Sequence, residues 1–498
     1  MRCDDSSAPP LKAPQVSTDF AMIVAREDDY GNKPLLDAPE ATPPKDAQFT
    51  PNQTHIIPSE EGVGTVMGST LNVANCAIGA GVLAFPSAFM DSGSVLGPIL
   101  CFVLATFMAA SLHVLAVASK SCGGRTYQET LKWGIGGKLG HMCEVVLEST
   151  VYIYVLGCGV GFLNVVSDQI EPIIDGNGGP LNHRSVLIII IASFIALPLC
   201  MVRNINDFVW TSYFAVISIV YMACVVISYG IKAEVYGDSF KDHFVSSNAT
   251  AAHLAVDKSD WDQVFKAIPI ICYAFNCHLA FIPIFQELRR TDPSTGKEYR
   301  TVKNMDRVAL GAYAICGSLY ILVGVFGYML FGDDTPDDIL SGMPKTKDSC
   351  PIHHAAACPY DIHVARLSIA VAVLSLYPKL QWVARTCIDD LLVDQGYVEE
   401  VKVKDQRYIP QKRFLAETFF YVIVTTAISC IEPSITDVMD FIGATLAGLQ
   451  VFVFPGLLYW KVKEKEHRAK GEVFAVPLYT WMNIFLAVFM CVCYYATL

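Results

Sequence analysis

Asn75-Cys76-Ala77-Ile78-Gly79-Ala80-Gly81-Val82-Leu83-Ala84-Phe85-Pro86 is an apolar stretch whose middle is poorly suited to a continuous helix. It lies in an apolar run of about residues 66–90, which is long enough to cross a bilayer. Gly79 and Gly81 each destabilise a helix interior by about 1 kcal/mol relative to Ala, and Pro86 removes a backbone donor. A spanning helix opens its backbone only where that backbone faces protein, a ligand or water. The stretch therefore predicts half of a ligand site or, alternatively, close packing of helices through small residues.

The composition of the chain is that of a polytopic membrane protein. Of its 498 residues 53% are hydrophobic and 17% charged, whereas soluble domains carry about 25% charged residues. Eleven apolar runs have spanning length, with approximate cores at 66–90, 94–118, 143–170, 185–201, 208–230, 262–286, 307–331, 361–384, 413–431, 436–460 and 474–496. The preceding residues 1–61 are Pro-rich and acidic and lack apolar periodicity, so we predict a disordered cytoplasmic tail.

The distribution of Lys and Arg predicts the orientation in the membrane. Loops on one side of the predicted spans carry 22 Lys and Arg, and those on the other side carry 6. The positive-inside rule then places the N-terminus in the cytoplasm of a multi-pass protein, in either the plasma membrane or an organelle membrane. Asn248 begins a glycosylation sequon in a predicted outer loop. Cys350 and Cys358 share another outer loop and are predicted to form a disulfide, although two free thiols are the alternative.

A second interrupted helix is predicted in the sixth run, around residues 268–283. Asn276 and His278 place polar groups at mid-depth there, and Pro283 is expected to interrupt the helical hydrogen bonds. The first and sixth runs cross in opposite directions and are five runs apart, as in an inverted repeat. Interrupted helices in such positions indicate a transporter binding site. Freed N–H groups can hold a carboxylate, and freed carbonyls an ammonium or a cation; His278 either takes part or simply packs.

Three motifs resemble one known family. The segment 72–86, with Asn75, Gly79 and Gly81, resembles the first-helix signature of the amino acid/auxin permease family. The segment 275–288 resembles the sixth-helix signature of its sodium-coupled neutral amino-acid transporter branch, and 324–332 fits the seventh helix. The resemblance covers about residues 62–496.

This resemblance implies an all-α integral membrane protein of eleven helices, with a LeuT-type 5+5 inverted repeat plus one helix, over residues 62–498. It also implies secondary active transport of neutral or cationic amino acids, with amino acids and the lipid bilayer as the partners. By motif match, Asn75 lies beside the substrate or the coupling ion. The remaining matched positions are Gly79, Ala80 and Gly81 as unwound backbone at the substrate carboxylate, and Phe275, Asn276, Cys277 and His278 lining the second break.

The coupling ion is H⁺ or Na⁺. In similar sodium-coupled members a hydroxyl of the eighth helix helps to hold sodium, but here leucines flank Ser375. We therefore favour proton-coupled symport, with a sodium-coupled symporter as the alternative. A proton-coupled carrier needs a partly desolvated titratable group. Glu144 and Glu148, one turn apart with Tyr152 on the third run, and His278 are candidates. Alternatively, Glu144 is simply solvated, and Glu148 binds a cationic side chain.

Other classes of protein find less support in the sequence. The chain has no His-Glu-x-x-His motif, no nucleophile elbow and no glycine loop ahead of a Lys, so we expect no enzyme, no metal and no cofactor beyond the co-transported ion. No nucleic-acid partner is expected. An amino-acid-sensing receptor with little transport remains the second alternative, and the partners of the tail are unknown.

Overall fold

The computed structural model describes residues 64–174, 183–203, 209–236, 261–291, 296–344, 360–403, 406–407, 409–432, 434–470 and 476–497. Within these ranges the chain is almost entirely helical, apart from β1, Lys402–Val403, and β2, Gln406–Arg407, which pair antiparallel. The tail at 1–61, Asn248, Cys350 and Cys358 lie outside the described residues, so the expectations for them remain predictions.

The helices follow one another in the order expected from the apolar runs. The first half contains α1 Val66–Ala77, α2 Phe85–Ser92, α3 Leu96–Cys122, α4 Tyr127–Ile135, α5 Gly137–Ile174, α6 Arg184–Ile191, α7 Leu197–Cys200 and α8 Val209–Tyr236. The second half contains α9 Trp261–Ala274, α10 His278–Glu287, α11 Val302–Phe331, α12 Tyr360–Asp394, α13 Gln411–Ile431, α14 Ile435–Phe441, α15 Phe454–Ala469 and α16 Leu478–Thr497.

Several of these helices have the length and hydropathy of membrane spans. Among the described residues, eight helical stretches are long and apolar enough to cross a bilayer: the six helices α3, α5, α8, α11, α12 and α13, the run of α9 with α10, and the run of α14 with α15. The bent pair α1 and α2 makes a ninth. Two shorter apolar helices, Arg184–Cys200 and Leu478–Val492, fall below that length. The prediction of an all-helical chain with many membrane-length helices is confirmed.

Two long helices form the scaffold, and a third connects the interrupted spans. The 38-residue α5 and the 35-residue α12 pack along each other. The 30-residue α11 packs against α1, α2, α3 and α8. Because α11 contacts both halves of the first span, its side chains can reach the interruption between them.

The first interruption lies where the glycines predict it. The last α-helical bond of α1 joins Ile78 N to Ala74 O at 2.8 Å, and Gly79 is extended, with φ −140° and ψ −154°. A short 3₁₀ segment, Ala80–Ala84, then leads into α2, and the two halves meet at 60°. Pro86 lies in the first turn of α2, where a missing N–H is harmless. The proline therefore starts the second half of the span.

The second interruption lies at Phe275–Cys277, between α9 and α10. The Asn276 side-chain oxygen accepts a hydrogen bond from His278 N at 3.3 Å, an Asx-type turn that competes with the helix. Pro283 lies inside α10, so this proline, which removes one helical hydrogen bond, is not where the span breaks. A single proline removes one hydrogen bond, whereas the asparagine offers the backbone an alternative partner.

Candidate functional site

Both interruptions meet at one hydroxyl group. Tyr320 of α11 is fully buried, and its hydroxyl lies 2.8 Å from Ala77 O and 3.1 Å from Ala274 O. These carbonyls end α1 and α9, where helix termini leave acceptors without intrahelical partners. A single phenol donor therefore lies between the two partially negative helix ends and ties the breaks together.

Aromatic rings surround this hydroxyl. The ring of Phe85, at the start of α2, stacks on Tyr320 with centroids 4.4 Å apart. Phe275, in the second break, meets Tyr320 edge-on at 5.1 Å and Tyr313 at 5.5 Å. Aromatic pairs in these arrangements add about 0.5–1.5 kcal/mol beyond their buried area. The cluster fixes the position of the residues that follow each break.

The two glycines of the first break have different surroundings. A Cβ built on Gly79 meets no atom within 4 Å, whereas one on Gly81 would lie 3.1 Å from the Ala274 Cβ. Gly81 thus allows close packing, and Gly79 faces open space. Within the described residues neither N–H group donates to another main-chain group. Gly81 therefore fits the close-packing reading, whereas the ligand-site reading at Gly79 stays a prediction.

Two further spans contribute side chains at the second break. Tyr154 of α5 lies 6.0 Å from Tyr273, centroid to centroid, and within hydrogen-bonding reach of Asn276. Gln450 is fully buried, and its Oε1 accepts from Asn276 Nδ2 at 3.3 Å. The Gln450 Nε2 donor has no partner in the described part of the chain. The sequence did not single out Tyr154, Gln450 or Tyr320, because their positions depend on how the helices pack.

Gln450 belongs to an irregular part of the tenth span. Two π-helical segments, Ile442–Ala447 and Leu449–Val453, separate α14 from α15, and π segments are common at functional sites. Pro455 has no N–H to offer to the Val451 carbonyl four residues earlier. Ser111 of α3 supplies the missing donor at 2.5 Å. The irregularity in this span is thus stabilised by a side chain from another helix.

His278 is a packed polar residue in this structure. It is fully buried at the start of α10, and its Nε2 lies 3.0 Å from Ser111 Oγ. Because the Ser111 hydrogen is donated to the Val451 carbonyl, His278 Nε2 must be the donor to Ser111 Oγ. This hydrogen bonding selects the neutral tautomer that is protonated on Nε2. His278 therefore connects the second, sixth and tenth spans.

Replacing Ser111 with Ala is expected to lower the thermal stability of the protein. The change leaves the Val451 carbonyl and the His278 Nε2–H buried without their present partner, and each such group costs about 1–3 kcal/mol. Differential scanning fluorimetry of the purified protein measures the effect. Ser121→Ala is the matched control, since that exposed serine bonds only to its own helix. Equal melting temperatures for both variants would contradict this account of His278.

The acidic residues of the third span lie away from the breaks. Glu144 pairs with Lys132 at 2.7 Å and with His141 at 3.2 Å, so it is an ion-paired and only partly exposed residue rather than a freely solvated one. Glu148 is half-buried and interacts electrostatically with Asp390 and Asp394 near the end of α12. Tyr154, which does reach the break, lies six residues further on, about 9 Å along the helix.

The remaining predicted coupling residues are not brought together. Ser375 Oγ donates to Ala372 O of its own helix at 2.7 Å. Asn75 is half-buried on α1, and within the described residues no hydrogen bond joins it to Ser375. Cys277 Sγ lies 3.6 Å from the Tyr313 hydroxyl. Ala80 begins the 3₁₀ segment after Gly79. Most of the predicted substrate-binding residues therefore lie at the two breaks, and the coupling roles of Ser375 and Glu148 stay predictions.

Comparison with known proteins assigns the chain to a family. The model of a family described as "Transmembrane amino acid transporter protein" matches residues 62–498. The chain belongs to this transmembrane amino acid transporter family. Its relatives include the bovine (Bos taurus) protein named "Sodium-coupled neutral amino acid transporter 7", which is 29% identical over 443 residues, covering 86% of each chain.

Other relatives of this transmembrane amino acid transporter are similarly distant. The human (Homo sapiens) protein of the same name is 29% identical over 82% of this chain and 81% of its own length. The human protein named "Solute carrier family 38 member 8" is 25% identical over 78% of this chain and 83% of its own length. The resemblance noted from the three motifs is confirmed. The family is one of multi-pass membrane transporters and not of enzymes.

Proposed function

We propose that this chain is a secondary active transporter that carries neutral amino acids across a membrane by alternating access around the two helix breaks. The contact of Tyr320 with both break carbonyls carries the proposal, because it brings the two interrupted spans to one point. In the proposed topology eleven spans form a 5+5 inverted repeat plus one, with the N-terminus in the cytoplasm. The pairing of α5 with α12, the third span of each repeat, supports this arrangement.

The substrate backbone is recognised by main-chain groups. The N–H groups at Gly79 and Gly81 lack main-chain acceptors among the described residues and follow the end of α1, where they can receive a carboxylate. Carbonyls at the ends of the half-helices carry partial negative charge and attract the ammonium group. No charged side chain is needed for either contact.

The substrate side chain is proposed to be uncharged. The side chains that meet at the breaks are aromatic, amide and thiol groups: Phe85, Tyr154, Phe275, Asn276, Cys277, Tyr313, Tyr320 and Gln450. A cationic side chain buried among these groups would lack the countercharge that a desolvated ion requires. The names of the relatives, which specify neutral amino acids, agree with this choice.

Proton coupling is the proposed driving force. Leu374 and Leu376, on either side of Ser375, offer no side-chain oxygen ligands. Sodium prefers several oxygen ligands, as hard cations do. Sodium coupling is the second candidate, favoured by the names of these two relatives.

The test is uptake of labelled neutral amino acids and of arginine into proteoliposomes under an imposed proton gradient and then a sodium gradient. We expect acid-outside stimulation of neutral amino-acid uptake, with arginine uptake near background. Ser375→Ala is expected to keep uptake within about twofold of wild type, because its hydroxyl makes only a local bond of small net energy. Sodium-driven uptake that Ser375→Ala abolishes would overturn proton coupling. Binding without accumulation would indicate a receptor.

A further inference from the structure

The segment 332–344, which follows α11, lies against the first helix break. Ile339 N donates to Leu83 O, within the 3₁₀ segment after Gly79, at 3.2 Å. Ile339 and Leu340 are fully buried. This segment, termed here the covering loop, is therefore attached by its main chain to the residues that the proposed site depends on.

A buried carboxyl group precedes that attachment point. Asp338 is 2% exposed, and its Oδ1 accepts from Leu340 N at 2.9 Å. Its Oδ2 lies 2.5 Å from the side-chain amide of Gln169, a fully buried residue of α5. Gln169 Nε2 donates in this arrangement, and Gln169 Oε1 is buried without a partner among the described residues. When Asp338 is protonated, turning the amide by 180° lets the carboxyl group donate to that oxygen.

The charged groups around Asp338 come from each element that packs on it. Asp168 of α5 is near it and is itself paired with Arg184 of α6 at 3.0 Å. Arg366 of α12 is fully buried but donates to Leu340 O and Met343 O, at 2.8 and 2.7 Å. Asp337, the neighbour in the covering loop, accepts from Ser434 Oγ, just before α14, at 2.8 Å. In this arrangement Arg366 stabilises the loop main chain rather than pairing directly with Asp338.

The ionisation of Asp338 falls in the physiological range. Burial raises the pKa of the Asp338 carboxyl to about 7, the charge of Asp168 acts in the same direction, and Leu340 N, Arg366 and Gln169 oppose the shift. Asp338 lies beside a cavity of about 340 Å³, which is lined by Asp168, Arg184, Asp337, Asp338, Ser341, Ser434 and Ile435. A second cavity, of about 440 Å³, is lined by other residues. Asp338 thus borders a space through which a proton can reach it.

We propose that Asp338 is a proton-binding site whose occupancy holds the covering loop against the first helix break. The Asp338 carboxyl group binds its proton more tightly when the covering loop lies against the first break than when the loop is displaced into water, where an Asp has a pKa near 4. Protonation therefore favours the covered arrangement. The ratio of covered to uncovered protein therefore rises about tenfold for each unit by which the pH falls from about 7 to about 4, and it is constant above pH 7. Any effect of this proton site on transport rests on the proposed function, whereas the pH dependence of the loop attachment does not.

Hydrogen–deuterium exchange of the full-length protein in detergent tests the proposal. The amide of Ile339 is followed at pH 6 and pH 8, with rates corrected for the intrinsic effect of pH. The protection factor is expected to be about tenfold higher at pH 6 in the wild type, and equal at both values within about twofold in Asp338→Asn. Asp333→Asn, an exposed residue of the same loop, is the control and keeps the wild-type difference.

Two results overturn the proposal: a wild-type protection factor that is equal at the two pH values, or a tenfold difference that persists in Asp338→Asn. Since the wild-type comparison is decisive alone, poor folding of a variant does not remove the test. Uptake by wild-type proteoliposomes is measured separately. Protein that shows the exchange difference but accumulates no amino acid contradicts the proposed function while supporting the proton site, so the two failures are distinguishable.

Discussion

Tyr320→Phe is expected to reduce the maximal rate of amino-acid uptake by about tenfold or more while the protein still folds. The substitution keeps the ring that stacks on Phe85 and removes only the donor to Ala77 O and Ala274 O. A buried acceptor left without its partner costs about 1–3 kcal/mol, and 1.4 kcal/mol corresponds to a factor of ten. That energy is lost where the two half-helices must keep their relative position during transport.

Tyr313→Phe is the matched control for this prediction. Tyr313 lies on the same helix and contacts the same ring of Phe275, but within the described residues its hydroxyl lies against the thiol of Cys277, at 3.6 Å, rather than a carbonyl of either break. Sulfur is a weak hydrogen-bonding group, so an effect of less than about threefold is expected. Initial rates of uptake into proteoliposomes, normalised to reconstituted protein, give the comparison. Equal rates for wild type and Tyr320→Phe would show that the hydroxyl does not connect the breaks in any functional way.

Gly79→Ala is expected to weaken amino-acid binding by about tenfold or more without lowering the melting temperature. The added methyl group meets no protein atom within 4 Å and therefore causes no clash in the protein itself. It enters the open space where the substrate carboxylate is proposed to approach the backbone. Forcing an extra methyl group into an occupied site typically costs about 1–3 kcal/mol. Scintillation proximity binding of the transported amino acid, alongside thermal denaturation, measures both effects.

Gly81→Ala gives the opposite pattern and serves as the control. Its Cβ would lie 3.1 Å from the Ala274 Cβ, so the two spans must separate slightly and the melting temperature is expected to fall. If Gly79→Ala destabilises the protein as much as Gly81→Ala does, or if it binds amino acids as tightly as the wild type, the space at Gly79 is not the substrate site.

The features that the sequence predicts well are those with local causes. The first break follows from Gly79 and from Pro86, which are unfavourable in a helix interior but suitable at a helix start. The second break follows from Asn276, whose side chain offers the backbone a competing hydrogen bond. Long apolar runs predict the helices for the same local reason, since a bilayer requires about 20 apolar residues in succession.

The features that the sequence does not reveal depend on packing between distant helices. Tyr320 is one tyrosine among 22, and only the crossing of α11 over both breaks gives its hydroxyl a role. Ser111 and Gln450 likewise act on partners more than 150 residues away. Glu148 is a candidate from the sequence because a carboxylate in a span is costly, but the sequence does not reveal that its charged neighbours Asp390 and Asp394 lie on α12. Periodicity along one helix does not give that rotation.

A structure determined by cryo-electron microscopy with the transported neutral amino acid bound would locate the substrate site. We predict density between the two breaks, with the substrate carboxylate within hydrogen-bonding distance of the Gly79 or Gly81 N–H group and its side chain beside Phe275 and Tyr320. Density in the 440 Å³ cavity lined by Ser119, Lys120, Gly123, Phe285, Gln286, Arg290, Thr291, Glu298 and Arg300, with the space at Gly79 empty, would contradict it.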